Sequence, residues 1–106
     1  MTNESEIQEH IAKVRSFAEA RDWEKFHTPK NLAMAIAGEA GELAAEFQWL
    51  TPEESTIGAL SNEKIRDIRL EMADVQIYLY RLADVLKIDI SQAVAEKMQI
   101  NESRFQ

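Results

Sequence analysis

The chain has 106 residues, and its net charge of −7 reflects 19 acidic residues against 12 lysines and arginines. That balance argues against a surface for nucleic acid or anionic membranes, because phosphate binding requires a basic face. The absence of cysteine excludes disulfides and thiolate zinc sites, and two histidines are too few for a three-histidine zinc site. Residues 1–106 are long enough for one domain, and we expect neither a signal peptide nor a membrane span within them. We therefore expect a single cytoplasmic domain.

Hydrophobic spacing predicts two helices in the first half of the chain. The first runs from about residue 4 to residue 21, and an irregular connection follows it. Thr28 and Pro29 then have the residue types that favour a helix start, since threonine caps well and proline suits the first helical position. The second helix is predicted to continue to about Trp49.

The second half of the chain predicts two further helices. Thr51 and Glu54 have the spacing of a capping box, which indicates a short helical turn before the loop around Gly58. The third helix is predicted over residues 62–87, and Asp89 opens a fourth. Because glycine and proline are few and no segment alternates with period two, the sequence predicts an all-α four-helix bundle.

The second helix is apolar around almost its whole circumference, which predicts that it is buried. Its only charged residues between Asn31 and Trp49 are Glu39, Glu42 and Glu46, and they fall on one face. Ionised carboxylates persist in buried positions only when they are paired or bound to metal. For Glu46, a supporting role, a salt bridge and partial exposure all stay open.

The third helix repeats this arrangement with Glu71 and Asp74, which lie between two apolar strips. Together with Glu39 and Glu42 they form two acidic pairs at i, i+3 spacing. Packed helices would gather these four oxygen ligands, which suits Mg²⁺ or Mn²⁺. A solvated acidic face is the ordinary alternative, but its recurrence on the core side of two helices favours the metal site.

Other residues would serve a nucleotide bound at such a site. Aromatic rings stack on bases and cations bind phosphates, although tryptophans are often core anchors and single cations are often surface charges. The aromatic and histidine candidates are Trp23, His27, Trp49 and Tyr78, and the cationic candidates are Lys25, Lys30, Arg81, Lys97 and Arg104. A ferritin-like carboxylate site is disfavoured, because it needs two Glu-x-x-His pairs and the chain has one.

Four segments together form a distinctive pattern. They are Arg21-Asp22-Trp23 with Phe26-His27-x-Pro29-x-Asn31-Leu32, Gly38-Glu39-x-Gly41-Glu42-Leu43 with Phe47-Gln48-Trp49, Glu71-x-x-Asp74-x-x-Ile77-Tyr78-Leu79, and Lys97 with Asn101. In this pattern the chain strongly resembles the MazG-like all-α nucleoside triphosphate pyrophosphohydrolases, and most of all the branch of short, single-domain dCTP pyrophosphatases. The likeness covers nearly the whole chain, from about Phe17 to Phe105.

The resemblance implies a Mg²⁺-dependent enzyme that splits a nucleoside triphosphate between the α and β phosphates, with Mn²⁺ as a possible substitute. Carried over by position, Glu39, Glu42, Glu71 and Asp74 would hold the metal, and Glu39 or Glu42 would orient or deprotonate the attacking water. The residues that would line the nucleotide pocket are Trp23, His27, Trp49, Tyr78, Lys97 and Asn101.

Relatives in this family form dimers or tetramers whose pockets use more than one subunit, so the resemblance implies a homodimer or homotetramer. It also implies a house-cleaning role, with dCTP as the first expected substrate and dATP or a modified deoxycytidine triphosphate next. Val14 stands where some dCTP-preferring relatives have histidine, which leaves the base open. The alternatives are a non-catalytic nucleotide-binding or protein-interaction helical module, and hydrolysis of phosphoribosyl-ATP.

Overall fold

Four α-helices make up most of the chain over residues 4–105, which are the residues that the computed structural model describes. Their bounds are α1 Glu4–Ala20, α2 Pro29–Ala45, α3 Asn62–Leu86 and α4 Ile90–Arg104. Short 3₁₀ turns at Glu24–Phe26 and Glu53–Ser55 lie in the two longer connections. No strand occurs within the described range, so the predicted all-α class is confirmed. None of these helices is long and apolar enough to cross a membrane.

The start of α2 follows from its local chemistry, but its end differs from the prediction. The hydroxyl of Thr28 accepts a hydrogen bond from the backbone N–H of Asn31, as an N-cap should. The helix ends at Ala45 and does not reach Trp49. After Ala45 the backbone N–H groups bond to carbonyls three residues back, which tightens the chain into turns. Trp49 is 87% exposed, so its packing does not extend the helix.

The predicted capping box is confirmed. The backbone N–H of Thr51 donates to the Glu54 carboxylate at 2.8 Å, and the N–H of Glu54 donates to the Thr51 hydroxyl at 3.2 Å. The backbone N–H groups of Thr51 and Glu54, which have no partner within the turn's own backbone, are both hydrogen-bonded in this way.

The bounds of α3 and α4 also follow from side-chain caps. The hydroxyl of Ser61 accepts a hydrogen bond from the N–H of Lys64, at the start of α3. Lys87 ends α3 in the left-handed conformation, with φ of 60°. The Asp89 carboxylate then accepts a hydrogen bond from the N–H of Gln92 and caps α4, as predicted.

The helices pack unequally in the single chain. Helix α3 is central, with α2 packed against it and α1 also in contact, whereas α4 has only marginal contacts with the other three. The buried hydrophobic residues of the described chain are Ile11, Ala18, Leu32 and Ala83. The expectation that α2 is buried all round is therefore wrong for the single chain. Helix α2 packs chiefly on α3, which leaves part of its apolar surface exposed, including Met34 at 66%.

The single chain is more open than a typical domain of its size. Its radius of gyration is 16.3 Å, whereas a compact domain of this length has about 13 Å. Its accessible surface is 8090 Å², which exceeds by about 2,000 Å² the area typical of a folded monomer of this mass. The exposed surface includes large hydrophobic side chains, among them Leu70 and Ile77 on α3 and Val94 and Met98 on α4.

Candidate metal centre and adjoining pocket

The packing of α2 against α3 brings acidic side chains from both helices together. One carboxylate oxygen each of Glu39, Glu71 and Asp74 lies within 4.8 Å of the other two. The i, i+3 spacing puts Glu71 and Asp74 on neighbouring turns of α3, and the helix crossing adds Glu39 from α2. We call these three residues the acidic cluster.

Glu42, the fourth predicted ligand, lies near the acidic cluster but not within it. Its side chain is exposed on α2, and its oxygens are not among those that meet within 4.8 Å. Its charge nevertheless acts on the cluster. The pKa of Glu71 is raised first by burial and then by the negative charge of Glu42, followed by Asp74 and Glu39. The pKa of Glu39 is also raised, first by burial and then by Asp74 and Glu42.

One oxygen of the acidic cluster has no partner. Glu71 Oε2 is buried, and no hydrogen-bond donor reaches it. A buried acceptor without a partner is costly, and several carboxylates around it add repulsion. A divalent cation with oxygen ligands removes both costs, because it supplies positive charge and coordinates the orphaned oxygen. The residues present therefore fit a hard cation such as Mg²⁺.

Glu46 occupies the edge of this site and is paired. Its carboxylate accepts a hydrogen bond from the ammonium of Lys64 on α3 at 2.8 Å. Both side chains are partly shielded, with exposures of 21% for Glu46 and 33% for Lys64. Of the roles left open for Glu46, the structure shows the salt bridge together with partial exposure.

A cavity of about 250 Å³ adjoins the acidic cluster, and Asp74 belongs to both. Aromatic rings form much of its wall. Trp23 packs edge-to-face on His27, with 6.2 Å between ring centroids, and on Phe17 at 5.7 Å. The residues that line the cavity are Val14, Phe17, Ala18, Trp23, His27, Asp74, Ile77, Tyr78 and Arg81. Three of the predicted pocket residues thus share one cavity.

The other three predicted pocket residues lie elsewhere in the single chain. Trp49 is in the turns that follow α2, and it does not line the cavity. Lys97 and Asn101 are on α4, whose contacts with α2 and α3 are marginal. Their roles in nucleotide binding remain predictions.

A chain of polar contacts begins at the wall of the cavity, and the sequence pattern did not predict it. Arg81 is only 6% exposed, and its guanidinium donates to His27 Nδ1 at 3.1 Å and to the Asp84 carboxylate at 3.3 Å. Asp84 also accepts two hydrogen bonds from Arg15 on α1, both at 2.7 Å. Sequence reasoning named Arg81 only as a candidate phosphate ligand. The i, i+3 spacing of Arg81 and Asp84 was a usable signal, but no local pattern links Arg15 to a residue on α3.

These contacts shift the pKa values of the groups that they join. The pKa of Asp84 is lowered chiefly by its hydrogen bonds from Arg15, although burial opposes this shift. The pKa of His27 is lowered, first by burial and then by the positive charge of Arg81. Both causes favour the neutral form of the His27 ring.

The fold and the site together define a class of protein. It is an all-helical chain in which carboxylates of two packed helices form a candidate metal centre beside an aromatic cavity. The model of the MazG-like family matches residues 34–106, which include all of the acidic cluster. The chain belongs to the MazG-like family, which confirms the resemblance.

Curated proteins and a solved structure support the same relationship. The chain is 45% identical over 89 residues to proteins named dCTP pyrophosphatase 1 from Bos taurus and from Homo sapiens. The match covers 84% of this chain but only 53% and 52% of those proteins, so the chain spans about half their length. A crystal structure of a pyrophosphatase from Archaeoglobus fulgidus superposes with a TM-score of 0.84 at 39% identity, over 92% of this chain and 90% of that one.

Proposed function

We propose that residues 1–106 form one MazG-like domain that hydrolyses nucleoside triphosphates to the monophosphate and pyrophosphate. The observation that carries this proposal is the acidic cluster of Glu39, Glu71 and Asp74, with its orphaned oxygen, directly beside an aromatic cavity. A triphosphate bound here would have its base among aromatic rings and its phosphates toward the carboxylates. An anionic phosphate approaches carboxylates only when a cation lies between them.

The proposed cation is Mg²⁺, with Mn²⁺ as a substitute. Glu39, Glu71 and Asp74 would hold it, and Glu42 would join them by a small side-chain movement, since its charge already acts on Glu71. When bound, the cation supplies charge neutralisation on the phosphates and a lower pKa for a nearby water.

The protein's own groups would position the reactants. Glu39 or Glu42 would orient the attacking water and accept its proton, because a carboxylate at hydrogen-bond distance is a competent general base. Trp23 and Tyr78 would stack on or flank the base, a contact worth about 1–3 kcal/mol for each stacked base.

The proposed substrate is a deoxynucleoside triphosphate, with dCTP first. This choice draws on the relatives named dCTP pyrophosphatase 1, of which the chain spans about half the length. dATP and modified deoxycytidine triphosphates come next. The proposed role is house-cleaning in the cytoplasm, where such nucleotides are present, and the net charge of −7 disfavours nucleic acid and anionic membranes as partners.

The proposed assembly is a homodimer or homotetramer in which a second copy completes the pocket. Two observations support it. The surplus accessible surface of about 2,000 Å² is larger than the roughly 800 Å² that each partner contributes to a standard interface. In addition, Lys97 and Asn101 lie on α4 and not at the cavity of their own chain. A second copy would cover the exposed apolar faces of α3 and α4 and bring such residues to the site.

The experiment that tests the proposed reaction is pyrophosphate release from a panel of dNTPs and NTPs, with phosphoribosyl-ATP included, with and without Mg²⁺. Glu39→Ala should abolish the release, because it removes an acid of the cluster, whereas Glu96→Ala removes an exposed glutamate on α4 and should leave it unchanged. The ranking of substrates would then identify the base. Tight nucleotide binding without turnover of any triphosphate would instead support the non-catalytic module.

A further inference from the structure

The imidazole of His27 is held by a donor that cannot act as an acceptor. The Nε–H of Arg81, on α3, donates to His27 Nδ1 at 3.1 Å, and His27 lies in the connection between α1 and α2. A guanidinium has only donors and stays charged at any accessible pH. The Nδ1 atom must therefore provide its lone pair, and the proton of the neutral ring must be on Nε2.

Arg81 is itself held in place. Its guanidinium also donates to Asp84, and that carboxylate accepts the two hydrogen bonds from Arg15. With 6% of its surface exposed, Arg81 is the one buried polar or charged residue of the described chain, in a core that has little hydrocarbon. A buried arginine with fixed partners has few alternative conformations, so its contact with His27 is well defined.

We propose that Arg81 is a positioning residue that fixes His27 in the Nε2–H tautomer, so that the ring offers the bound nucleoside a donor and no acceptor. This inference deepens the proposed function and rests on it for the identity of the ligand. Nδ1 of His27 accepts the hydrogen bond from Arg81, which leaves Nε2–H for a ligand. His27 lines the same cavity as Trp23 and Tyr78. The lowered pKa of His27 agrees with a ring that remains neutral.

The fixed tautomer defines the chemistry of the ligand atom that meets it. That atom must be a hydrogen-bond acceptor, such as O2 or N3 of a pyrimidine like cytosine. An exocyclic amino group in the same place would point its N–H toward the Nε2–H of His27, and two donors cannot bond to each other. The amino group would therefore lose its hydrogen bond with water and gain none from the protein. A free histidine would avoid this conflict by moving its proton to Nδ1, but the contact with Arg81 prevents that exchange.

The first test reads the tautomer directly in the wild-type protein. Long-range ¹H–¹⁵N correlation spectra distinguish protonated from unprotonated imidazole nitrogens, and His10 serves as an internal exposed reference. We expect His27 Nδ1 to have the shift of an unprotonated nitrogen, and dCMP, which needs no metal, to perturb the Nε2–H signal. A proton on Nδ1, averaging between tautomers, or no effect of dCMP on His27 would overturn the inference.

The second test separates positioning from a structural role. Arg81→Met should release the tautomer, weaken dCMP binding about tenfold, which is the value of roughly one hydrogen bond, and raise KM with little change in kcat. Arg81→Lys, which keeps a charged donor, should weaken dCMP binding less than Arg81→Met does. Arg66→Met, at an exposed site on the same helix, is the matched control and should leave dCMP affinity unchanged.

A rescue variant completes the test. In His27→Gln the side-chain amide N–H₂ takes the position of Nε2–H without any tautomer to fix. In that background Arg81→Met should change dCMP affinity by less than about twofold. An equal loss in both backgrounds would mean that Arg81 only supports the fold, and the inference would fail. If Arg81→Met does not fold, the dCMP affinity of Arg81→Lys and the wild-type spectrum still test whether Arg81 positions His27.

Failure of this inference and failure of the proposed function give different results. If no triphosphate is hydrolysed but dCMP binding still depends on Arg81 through His27, the proposed reaction fails and the positioning role stands. If pyrophosphate is released and the His27 tautomer does not change in Arg81→Met, the reaction stands and the positioning role fails.

Discussion

The α2–α3 side of the molecule and helix α4 differ in how much of the proposed site the single chain assembles on each. On the α2–α3 side, the acidic cluster and the wall of the cavity are assembled, and each acid has neighbours from another helix. On α4, Lys97 and Asn101 lie on a helix with marginal contacts, beside exposed Val94 and Met98. One chain therefore builds the acidic half of the proposed site and leaves the cationic half without a position.

The two regions also have different energetic costs. The acidic cluster concentrates negative charge around the buried Glu71 oxygen. Helix α4 presents hydrocarbon to water within the single chain, at Val94 and Met98. Electrostatic repulsion is relieved by metal, whereas exposed apolar area is relieved by association. Variants in the acidic cluster should therefore respond to added metal, and variants on α4 should respond to protein concentration.

The largest effect is expected from Asp74→Asn, which removes one charge of the acidic cluster. Pyrophosphate release should fall by about 100-fold or more, since even residues that only support metal ligands contribute about 10–100-fold. Asp67→Asn makes the same chemical change at an exposed position on the same helix and should stay within about twofold of the wild type. Equal rates for the two variants would remove Asp74 from the site.

Complementation tests whether the two regions meet across a subunit interface. Lys97→Ala and Asp74→Asn should each be nearly inactive alone. When the two are co-expressed, about half of the dimers are hybrids, and each hybrid has one site with both halves intact, so about a quarter of the wild-type activity should return. Activity that stays at the level of the single variants would mean that each site uses only its own chain.

The charge cost in the acidic cluster should be visible in stability without metal. Glu71→Gln should raise the melting temperature of the metal-free protein, and the increment should grow as the pH rises above 4.5, the ordinary pKa of the side chain. The sign follows from linkage: the folded-state pKa is raised, so above 4.5 the unfolded chain ionises first and the folded wild type loses stability. Below that pH the carboxyl is protonated in both states, and the difference should vanish.

Adding Mg²⁺ should reverse the order of the melting temperatures of Glu71→Gln and the wild type. The cation stabilises the folded state by mass action, by about 2.7 kcal/mol at 100 times its Kd, and the wild type should gain more than Glu71→Gln. Glu96→Gln, an exposed control on α4, should gain as much as the wild type. Thermal melts over a series of pH values and Mg²⁺ concentrations measure both effects, and an equal gain in all three proteins would contradict a clustered site.

The smallest effect concerns the helix caps of the two regions. Thr28→Ala and Asp89→Ala each remove an N-cap hydrogen bond, worth about 1 kcal/mol. In dilute, unassociated protein Thr28→Ala should lower the global free energy of unfolding, because α2 packs on α3. Asp89→Ala should mainly speed hydrogen exchange in α4, as a sparsely packed helix opens locally. Equal global losses would indicate that α4 packs as firmly as α2.

Local patterns predicted the helices and much of the acidic cluster. The starts of α2 and α4 follow from Thr28 and Asp89, whose side chains form the expected caps. The pairing of Glu71 with Asp74 follows from helical spacing, and Glu39 joins them because the apolar faces of α2 and α3 pack together. The caps and the pairing on α3 depend on a few neighbouring residues, and the addition of Glu39 depends on the apolar faces of the two helices.

Features that depend on distant neighbours were not predicted in the same way. The full burial of α2 was expected from its composition, but composition does not say which helix covers which face, and Met34 is exposed. The contact between Arg15 and Asp84 joins α1 to α3, and no periodicity reports it. The tautomer of His27 depends in turn on that contact, through Arg81.

The small hydrophobic core of the described chain has a consequence for how much protein must be present. With Ile11, Ala18, Leu32 and Ala83 as its buried hydrocarbon, the single chain would draw much of its stability from the proposed association. For a dimer, each tenfold dilution then removes about 1.4 kcal/mol from the folded state. Dilution would act as a mild denaturant, so the amount of protein made by the cell would set the fraction that is folded.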